Sequence, residues 1–349
     1  MRSVCRDNRV RGMMRFCGAS RTGRWSGNIL QPQSLPQNHL PDLTLARDIV
    51  KDGDFEMLNM TFGNVPNALS ELIRTVLIPK PNHRFIVADF SAIEARVLSW
   101  LAGEQWRLDT FRNGGDIYCA SASQMFRVPV EKHGVNGHLR QKGKISELAC
   151  GYGGSVGALK NMGAVEMGVP EDELQGLIND WRNANPHIVK LWTEVGNTAM
   201  KAIKEKSNRF TRQTCIYVRA RDIIYSLPSG RRLSYIKPRI GTNRFGGDSI
   251  TYMGVGASKK WERLETFGGK LVENIVQAIA RDLLASAMMN VANAGYNIVF
   301  HVHDEIIAEA PDGQGSVDEM CMLMSINPDW ADGIPLSADG YECEYYRKD

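Results

Sequence analysis

Arg84-Phe-Ile-Val-Ala-Asp-Phe-Ser-Ala-Ile-Glu-Ala-Arg-Val-Leu-Ser-Trp-Leu101 is the stretch on which the fold turns. Phe85 to Ala88 form a short apolar run of β type, and Asp89 arrives where that run stops. Ser91-Ala-Ile-Glu94 has the spacing of a capping box, in which the Ser and Glu side chains take up free N–H groups of a new helix. Ile93, Val97, Leu98 and Leu101 repeat at helical spacing, which lays that helix against a core. A carboxylate at a strand end, beside a helix start, is placed to hold a metal at a cleft mouth. A plain loop acid would look the same.

A second carboxylate site lies far along the chain. Ile298-Val-Phe-His-Val302 reads as a strand, His303-Asp-Glu305 as a tight turn, and Ile306-Ile-Ala308 as the returning strand. Two adjacent acids at a hairpin tip repel each other, which a divalent cation would relieve. Mg²⁺ binds through one or two carboxylates, several waters and substrate phosphates. Asp89 and Asp304, on neighbouring strands, would supply that arrangement. Between them runs Leu139-Arg-Gln-Lys-Gly-Lys-Ile-Ser-Glu-Leu-Ala-Cys-Gly-Tyr-Gly153. Arg140, Lys144, Leu148 and Tyr152 recur every four residues and predict one helical stripe. Two cations one turn apart suit a polyphosphate, and an aromatic further on suits a base or sugar. An ordinary solvated basic face has the same pattern.

Together the three elements resemble the family A DNA polymerases of bacterial polymerase I and phage type. Asp89-Phe-Ser-Ala-Ile-Glu-Ala-Arg96 resembles their motif A. Arg140, Lys144, Leu148 and Tyr152-Gly153 match the spacing of motif B, and Val302-His-Asp-Glu305 resembles motif C. The resemblance implies a template-directed DNA polymerase that adds deoxynucleotides to a primer 3′ end by two-metal phosphoryl transfer. Two Mg²⁺ ions would be held by Asp89, Asp304 and the backbone carbonyl of Phe90, with Glu305 beside them. Arg140 and Lys144 would grip the triphosphate, and Lys144 could donate a proton to the departing pyrophosphate. Tyr152 would stack near the nascent pair and His303 would touch the primer terminus. Glu94 would lie against the sugar 2′ position and so favour deoxynucleotides, a glutamate that single-subunit RNA polymerases lack. Two departures stand out: Tyr118 occupies a place where the family often has histidine, and Leu148 one where many relatives carry Phe or Tyr.

The implied architecture is α+β, a palm with an antiparallel sheet and a mainly helical fingers subdomain. Its expected segments are residues 1–107 (palm, with motif A), 108–265 (fingers, with motif B) and 266–349 (palm, with motif C). The resemblance covers nearly the whole chain but not the thumb or the 3′–5′ exonuclease-type domain. This suggests a truncated or split form whose missing part comes from a separate chain. A catalytically silent primer–template-binding subunit, or a prophage remnant, stays open as the alternative. The expected partners are primer–template DNA and dNTPs, in the cytoplasm of a bacterial host, with no membrane.

Bulk properties agree with that frame. The 349 residues, 43% of them hydrophobic, suffice for a core and for about two domains. A net charge of +3 means that affinity for a polyanion must come from local patches. No apolar run approaches membrane-spanning length, and no signal peptide is apparent. Seven cysteines without a C-x-x-C pair argue against a disulfide framework or a zinc site.

The first segment is rich in arginine, with Val10 to Phe16 read as a strand and Gly18 to Gly27 as a turn-rich loop. Gly- and Ser-rich turns carrying arginine let N–H groups and guanidinium forks approach phosphates. The loop is similar to the family's Thr-Gly-Arg turn, which would set Arg24 in the primer–template minor groove with Gln31 just beyond. Asp54-Phe-Glu56 has the D-x-E shape of an exonuclease motif but lacks companion acids. Apolar stripes predict core helices around Leu174 to Trp181 and Ile188 to Val195. From Arg209 to about Lys260 the pattern turns β-like and basic, with Arg219, Arg221, Arg231, Arg232, Lys237, Arg239 and Arg244. This patch suits either a template strand or a soluble surface. Gly268 to Leu284 predicts a helix burying Val272, Val276, Ile279 and Leu283. By resemblance, Gln277 on this helix would read the minor groove, and Arg281 sits one turn further along.

Overall fold

A computed structural model describes residues 4–207, 209, 216–219, 222–243 and 245–348 of the chain. It is an α+β protein whose chain forms two compact units. The first comprises Met1–Ser91, Leu283–Ile326 and Leu336–Asp349; the second comprises Ala92–Asp282 and Asn327–Pro335. The joints fall at Ser91/Ala92, Asp282/Leu283, Ile326/Asn327 and Pro335/Leu336, whereas the expected segments divide after residues 107 and 265.

The first unit is built on a four-stranded antiparallel sheet. Its order is Ala338–Cys343, His83–Phe90, Glu305–Pro311, Asn297–Val302. The apolar run before Asp89 therefore becomes an inner strand, paired on both sides, where its backbone groups are satisfied by the ladder. Phe85, Val87 and Ile307 point into one core with Met13, Leu77, Phe300, Val302 and Tyr346. On the opposite face Ile86, Ala88, Ile306 and Ala308 are equally buried. The helix Val317–Met324 approaches the sheet closely: a Cβ at Gly340 would lie 3.0 Å from Val317 Cγ1 and 2.3 Å from the Val87 carbonyl. Three short helices, Leu43–Asp52, Phe55–Phe62 and Val65–Leu72, make a satellite core around Ile49, Leu58 and Leu72. Each starts on a side chain, Asp42, Asp54 or Asn64, that accepts a backbone N–H three residues on. Asp54 in the D-x-E triplet is thus a helix cap.

The predicted strand from Val10 to Phe16 shrinks to Met14–Arg15, paired with Ser26–Gly27, and a lone bridge between Val4 and Val10. Gly12 at φ 71° and Cys17 at φ 50° take the left-handed conformation, which breaks an extended run at both ends.

The second unit begins with helices Ile93–Ala102, Gln105–Arg112, Ile117–Phe126 and Leu139–Cys150. Val156–Asn161, Leu174–Ala184 and Pro186–Glu205 follow. The predicted core stripes hold: Leu174, Leu177, Ile178, Trp181, Ile188 and Val195 are all buried. The Trp181 and Trp192 rings stack 6.1 Å apart. The β-like basic segment is a five-stranded antiparallel meander from Ile216–Arg219 to Trp261–Thr266. Its Leu227-to-Arg231 turn closes the predicted hairpin through Leu227 N–H to the Arg231 carbonyl. Of the basic residues named there, Arg221 and Arg244 lie outside the described residues.

Gly268–Asn293 is longer than its sequence pattern suggested, 26 residues in one helix. It is long and apolar enough to cross a bilayer, in contrast to the reading that no run was. Most of its apolar window is nevertheless buried within the protein, Val272, Val276, Ile279 and Leu283 included.

Candidate active site

In the first unit, strand register brings the acids together. Asp89 stands opposite Glu305 across the ladder, and Phe90 N–H donates to the Asp304 carbonyl at 3.2 Å. The turn that presents Asp304 is made tight by His303 at φ 55°. Burial, and then the neighbouring Asp304 charge, push the Asp89 carboxyl up to about 8. Burial likewise raises Asp304 and Glu305 above the usual carboxylate range. Asp89 Oδ1 and Glu305 Oε1 are buried without a hydrogen-bond partner. A buried orphan oxygen costs about 1–3 kcal/mol, and three crowded carboxyls add repulsion. The cluster is therefore a poor fragment of core and a good cradle for a hard cation. Among the described residues no trio of His, Cys, Asp or Glu is preset as a complete metal cage.

One member of this cluster was absent from the sequence reading. Lys348 Nζ lies 3.4 Å from Glu305 Oε2 and 3.8 Å from Asp89 Oδ2. Beneath it Tyr346 is wholly buried; its hydroxyl accepts from Arg74 Nη1 at 3.1 Å and hydrogen-bonds Glu305. Arg74 in turn donates to the Leu35 and Pro36 carbonyls. The Arg347-Lys348 pair carries no spacing signal, so pattern reading had nothing to find.

The expected DNA-side residues of this unit are Arg24, Gln31 and His303. His303 is exposed at the turn, and its pKa is lowered chiefly by desolvation, against an opposing pull from the Gln33 backbone beside Gln31. It is therefore a neutral imidazole at neutral pH. Arg24 follows Gly23 at φ 71°, and its carbonyl accepts the Ala19 N–H at 3.0 Å, which closes the predicted turn.

In the second unit, the helix Leu139–Cys150 carries Arg140, Lys144 and Leu148. Tyr152 falls beyond its end, in the turn that Gly153 completes at φ 81°, so the four-residue stripe is three helical residues and one turn residue. Arg140 grips Asp116 with both Nε and Nη2 at 2.8 Å. Asp116 also caps the helix Ile117–Phe126 by accepting from Tyr118 and Cys119 N–H. The Arg140 guanidinium sits 5.2 Å from the Tyr118 ring. Lys144 makes no ion pair among the described residues, and Leu148 is half-exposed. Helix packing here is close, because a Cβ at Gly143 would meet the Tyr118 carbonyl at 2.2 Å.

The capping box at Ser91 to Glu94 does not form. Ala92, left-handed at φ 51°, takes the N-cap position, so Ser91 comes one residue too early. The Ser91 hydroxyl donates to Asp339 instead. Glu94 instead takes the Tyr152 hydroxyl, which donates to its Oε2 at 3.0 Å. Gln277 is half-buried on its helix. Arg281 bonds Asp282, which also receives Arg231 Nε at 2.7 Å and the Ser229 hydroxyl. The basic hairpin thus spends Arg231 on holding its own turn to the helix.

Comparison with known proteins adds an independent line. The sequence model of DNA polymerase family A matches residues 44–327. The chain is 51% identical over 350 residues to the DNA polymerase of Bacillus phage SP02, across 100% of this chain and 54% of that protein. It is 26% identical over 255 residues to the thermostable DNA polymerase I of Thermus aquaticus, across 71% of this chain and 25% of that one. Among solved structures, the POL domain of Pol1 from M. smegmatis, in complex with DNA primer-template and dNTP, has the same fold. The TM-score is 0.64 at 19% identity, over 99% of this chain and 49% of that chain. The chain spans about half the length of the phage relative and a quarter of the Thermus one.

Proposed function

The chain belongs to DNA polymerase family A, and from that premise we propose that it carries the polymerising centre of a template-directed DNA polymerase. The substrates are dNTPs and a primer–template, and the product is a primer longer by one deoxynucleotide. The observation that carries this reading is the half-buried Asp89–Asp304 pair, whose Asp89 Oδ1 is buried without a hydrogen-bond partner.

Asp89, Asp304 and the Phe90 carbonyl would hold two Mg²⁺ ions, with Glu305 supporting them. Bound there, the ions would lower the pKa of the primer 3′-hydroxyl and neutralise charge on the departing pyrophosphate. Arg140 and Lys144 bind the triphosphate. Lys144 has its charge unspent, while Arg140 must trade Asp116 for phosphate oxygens. Both are charge-assisted contacts from the same guanidinium to anionic oxygens, so the exchange preserves the type of bond. Lys144 is also the proton donor to the leaving pyrophosphate. Tyr152 offers its ring to the nascent pair while its hydroxyl holds Glu94 in one orientation. Glu94 so held occupies the space a 2′-hydroxyl would need, and Leu148 packs against the sugar. His303, Arg24, Gln31 and Gln277 bind primer–template, His303 as a neutral hydrogen-bonding group.

Primer extension with Mg²⁺ and dNTPs tests the proposal. Asp89→Ala and Asp304→Ala are each expected to lower the rate by at least about 10³-fold, since each removes charge neutralisation at the reacting phosphate. Wild-type protein that binds primer–template yet extends it no better than either variant would instead mark a silent binding subunit.

A further inference from the structure

Lys348 is held where it is by a chain of contacts unrelated to phosphate or DNA. Its backbone N–H donates to Asn38 Oδ1 at 3.2 Å. Two residues earlier, Tyr346 N–H donates to the Leu77 carbonyl at 2.9 Å, and the Tyr346 ring packs edge-on to Phe300 at 5.0 Å. The backbone at Lys348 is thereby fixed, and its four-carbon arm ends beside two carboxylates. At 3.4 and 3.8 Å the ammonium is in charge contact with them, longer than a short charge-assisted hydrogen bond. It balances charge without filling the ligand positions, since Asp89 Oδ1 and Glu305 Oε1 stay unpartnered. A lysine is a compact charge on a flexible stem and can swing without backbone movement. Its side chain is also one-quarter exposed, which leaves it a way out.

We propose that Lys348 is a resident counter-cation of the acid cluster, which steadies the metal-free protein and competes with divalent ions for Asp89 and Glu305. The inference rests on the polymerase reading for the purpose of these acids and adds a regulation of their metal loading. Two like-signed cations at one carboxylate cluster are linked reciprocally, so whatever metal does to Lys348, Lys348 does to metal. It acts through the carboxylates and is a positioning residue.

The test is a titration of the full chain with Mn²⁺, free ion being read by electron paramagnetic resonance. Lys348→Met and Lys348→Gln are expected to bind Mn²⁺ at least about fivefold more tightly than wild type, the lower end of ordinary site-to-site coupling. Lys348→Arg keeps the charge and is expected to match wild type. The double variant Lys348→Met/Asp304→Asn should lose the gain, which locates the effect at this cluster. In EDTA, Lys348→Met should melt below wild type, and Mn²⁺ should raise its melting point more. Equal or weaker Mn²⁺ binding by Lys348→Met and Lys348→Gln overturns the inference, as does Lys348→Arg behaving like Lys348→Met. Should the Mn²⁺ differences hold while wild type fails to extend a primer, the inference stands and the polymerase reading falls.

Discussion

At Asp89, burial and the adjoining Asp304 push the carboxyl up to about 8, so the folded chain keeps a proton there at pH values where the unfolded chain, near pH 3.9, has lost it. Folding therefore takes up protons between about pH 4 and 8, and stability must fall as pH rises through that window. Asp304 and Glu305, raised by the same burial, add to the slope. In EDTA the melting temperature is expected to drop from pH 5 to pH 8. Asp89→Asn should flatten that drop and melt several degrees higher at pH 8, at roughly 2–4 °C per kcal/mol for a unit of this size. A calorimetric series in which wild type and variant run parallel would remove the carboxyl from the account. Glu94 permits a second residue-scale test. Glu94→Ala is expected to raise the kcat/KM for ribonucleotides relative to deoxynucleotides on the order of 10²-fold, the size of discrimination a pocket exerts on one added hydroxyl. Tyr152→Phe, which removes the hydroxyl that bonds Glu94, should move the same ratio less. Asp89, Asp304 and Glu94 were legible because each lies within a short run whose strand and helix signals are local. Lys348 and Tyr346 were not, because only the folded sheet brings the chain's last residues to those acids.

Among elements, the helix Leu139–Cys150 depends on a buried ion pair that its own cationic stripe conceals. Glu147, which flanks the stripe, accepts both Arg107 Nη1 and Nη2 at 2.6 Å, with Trp181 Nε1 at 2.9 Å. Arg107 has no exposure at all, and its remaining donors go to Ser99 and Asn185. Every partner is satisfied, which is the condition under which a buried pair is tolerated. Glu147→Ala would leave the Arg107 charge buried and unpaired, so a loss of about 3–5 kcal/mol is expected. The denaturation midpoint of Glu147→Ala against that of Arg107→Met/Glu147→Met decides it: the double variant should recover most of the loss. If the two variants are equally unstable, lost packing rather than stranded charge is the cause. The amphipathic period made this helix visible in the sequence, but the pair joins residues 40 apart, and each alone reads as a solvated charge. The period also overran the end of the helix at Tyr152. Gly151 and Gly153 permit the turn there, while spacing alone continues past it.

For the whole molecule, the three motifs share an order that a sequence can display, whereas the compact units are assembled from segments that no local pattern joins. The stretch Asn327–Pro335, for example, belongs to the second unit although both of its flanks belong to the first. Its tie there is the Arg96 guanidinium on the Pro335 carbonyl and Trp100 Nε1 on the Asp332 carbonyl at 3.0 Å. Nothing in the polarity of those nine residues announces such bonds. Charge is the other property of the whole. With a net charge of only +3, the 349-residue polypeptide has little long-range attraction for a polyanion, so the proposed binding of duplex would have to come from local groups such as Arg24. Few contacts mean fast dissociation, since affinity differences between related complexes lie mostly in the off-rate. The polypeptide by itself is therefore expected to add one or a few nucleotides per binding event. In single-encounter primer extension with a heparin trap, the product ladder should be short at moderate salt. It should lengthen when salt is lowered, because fewer counterions then compete for the phosphates. Long products from the polypeptide alone, insensitive to salt, would show that groups beyond this local basic set hold the duplex.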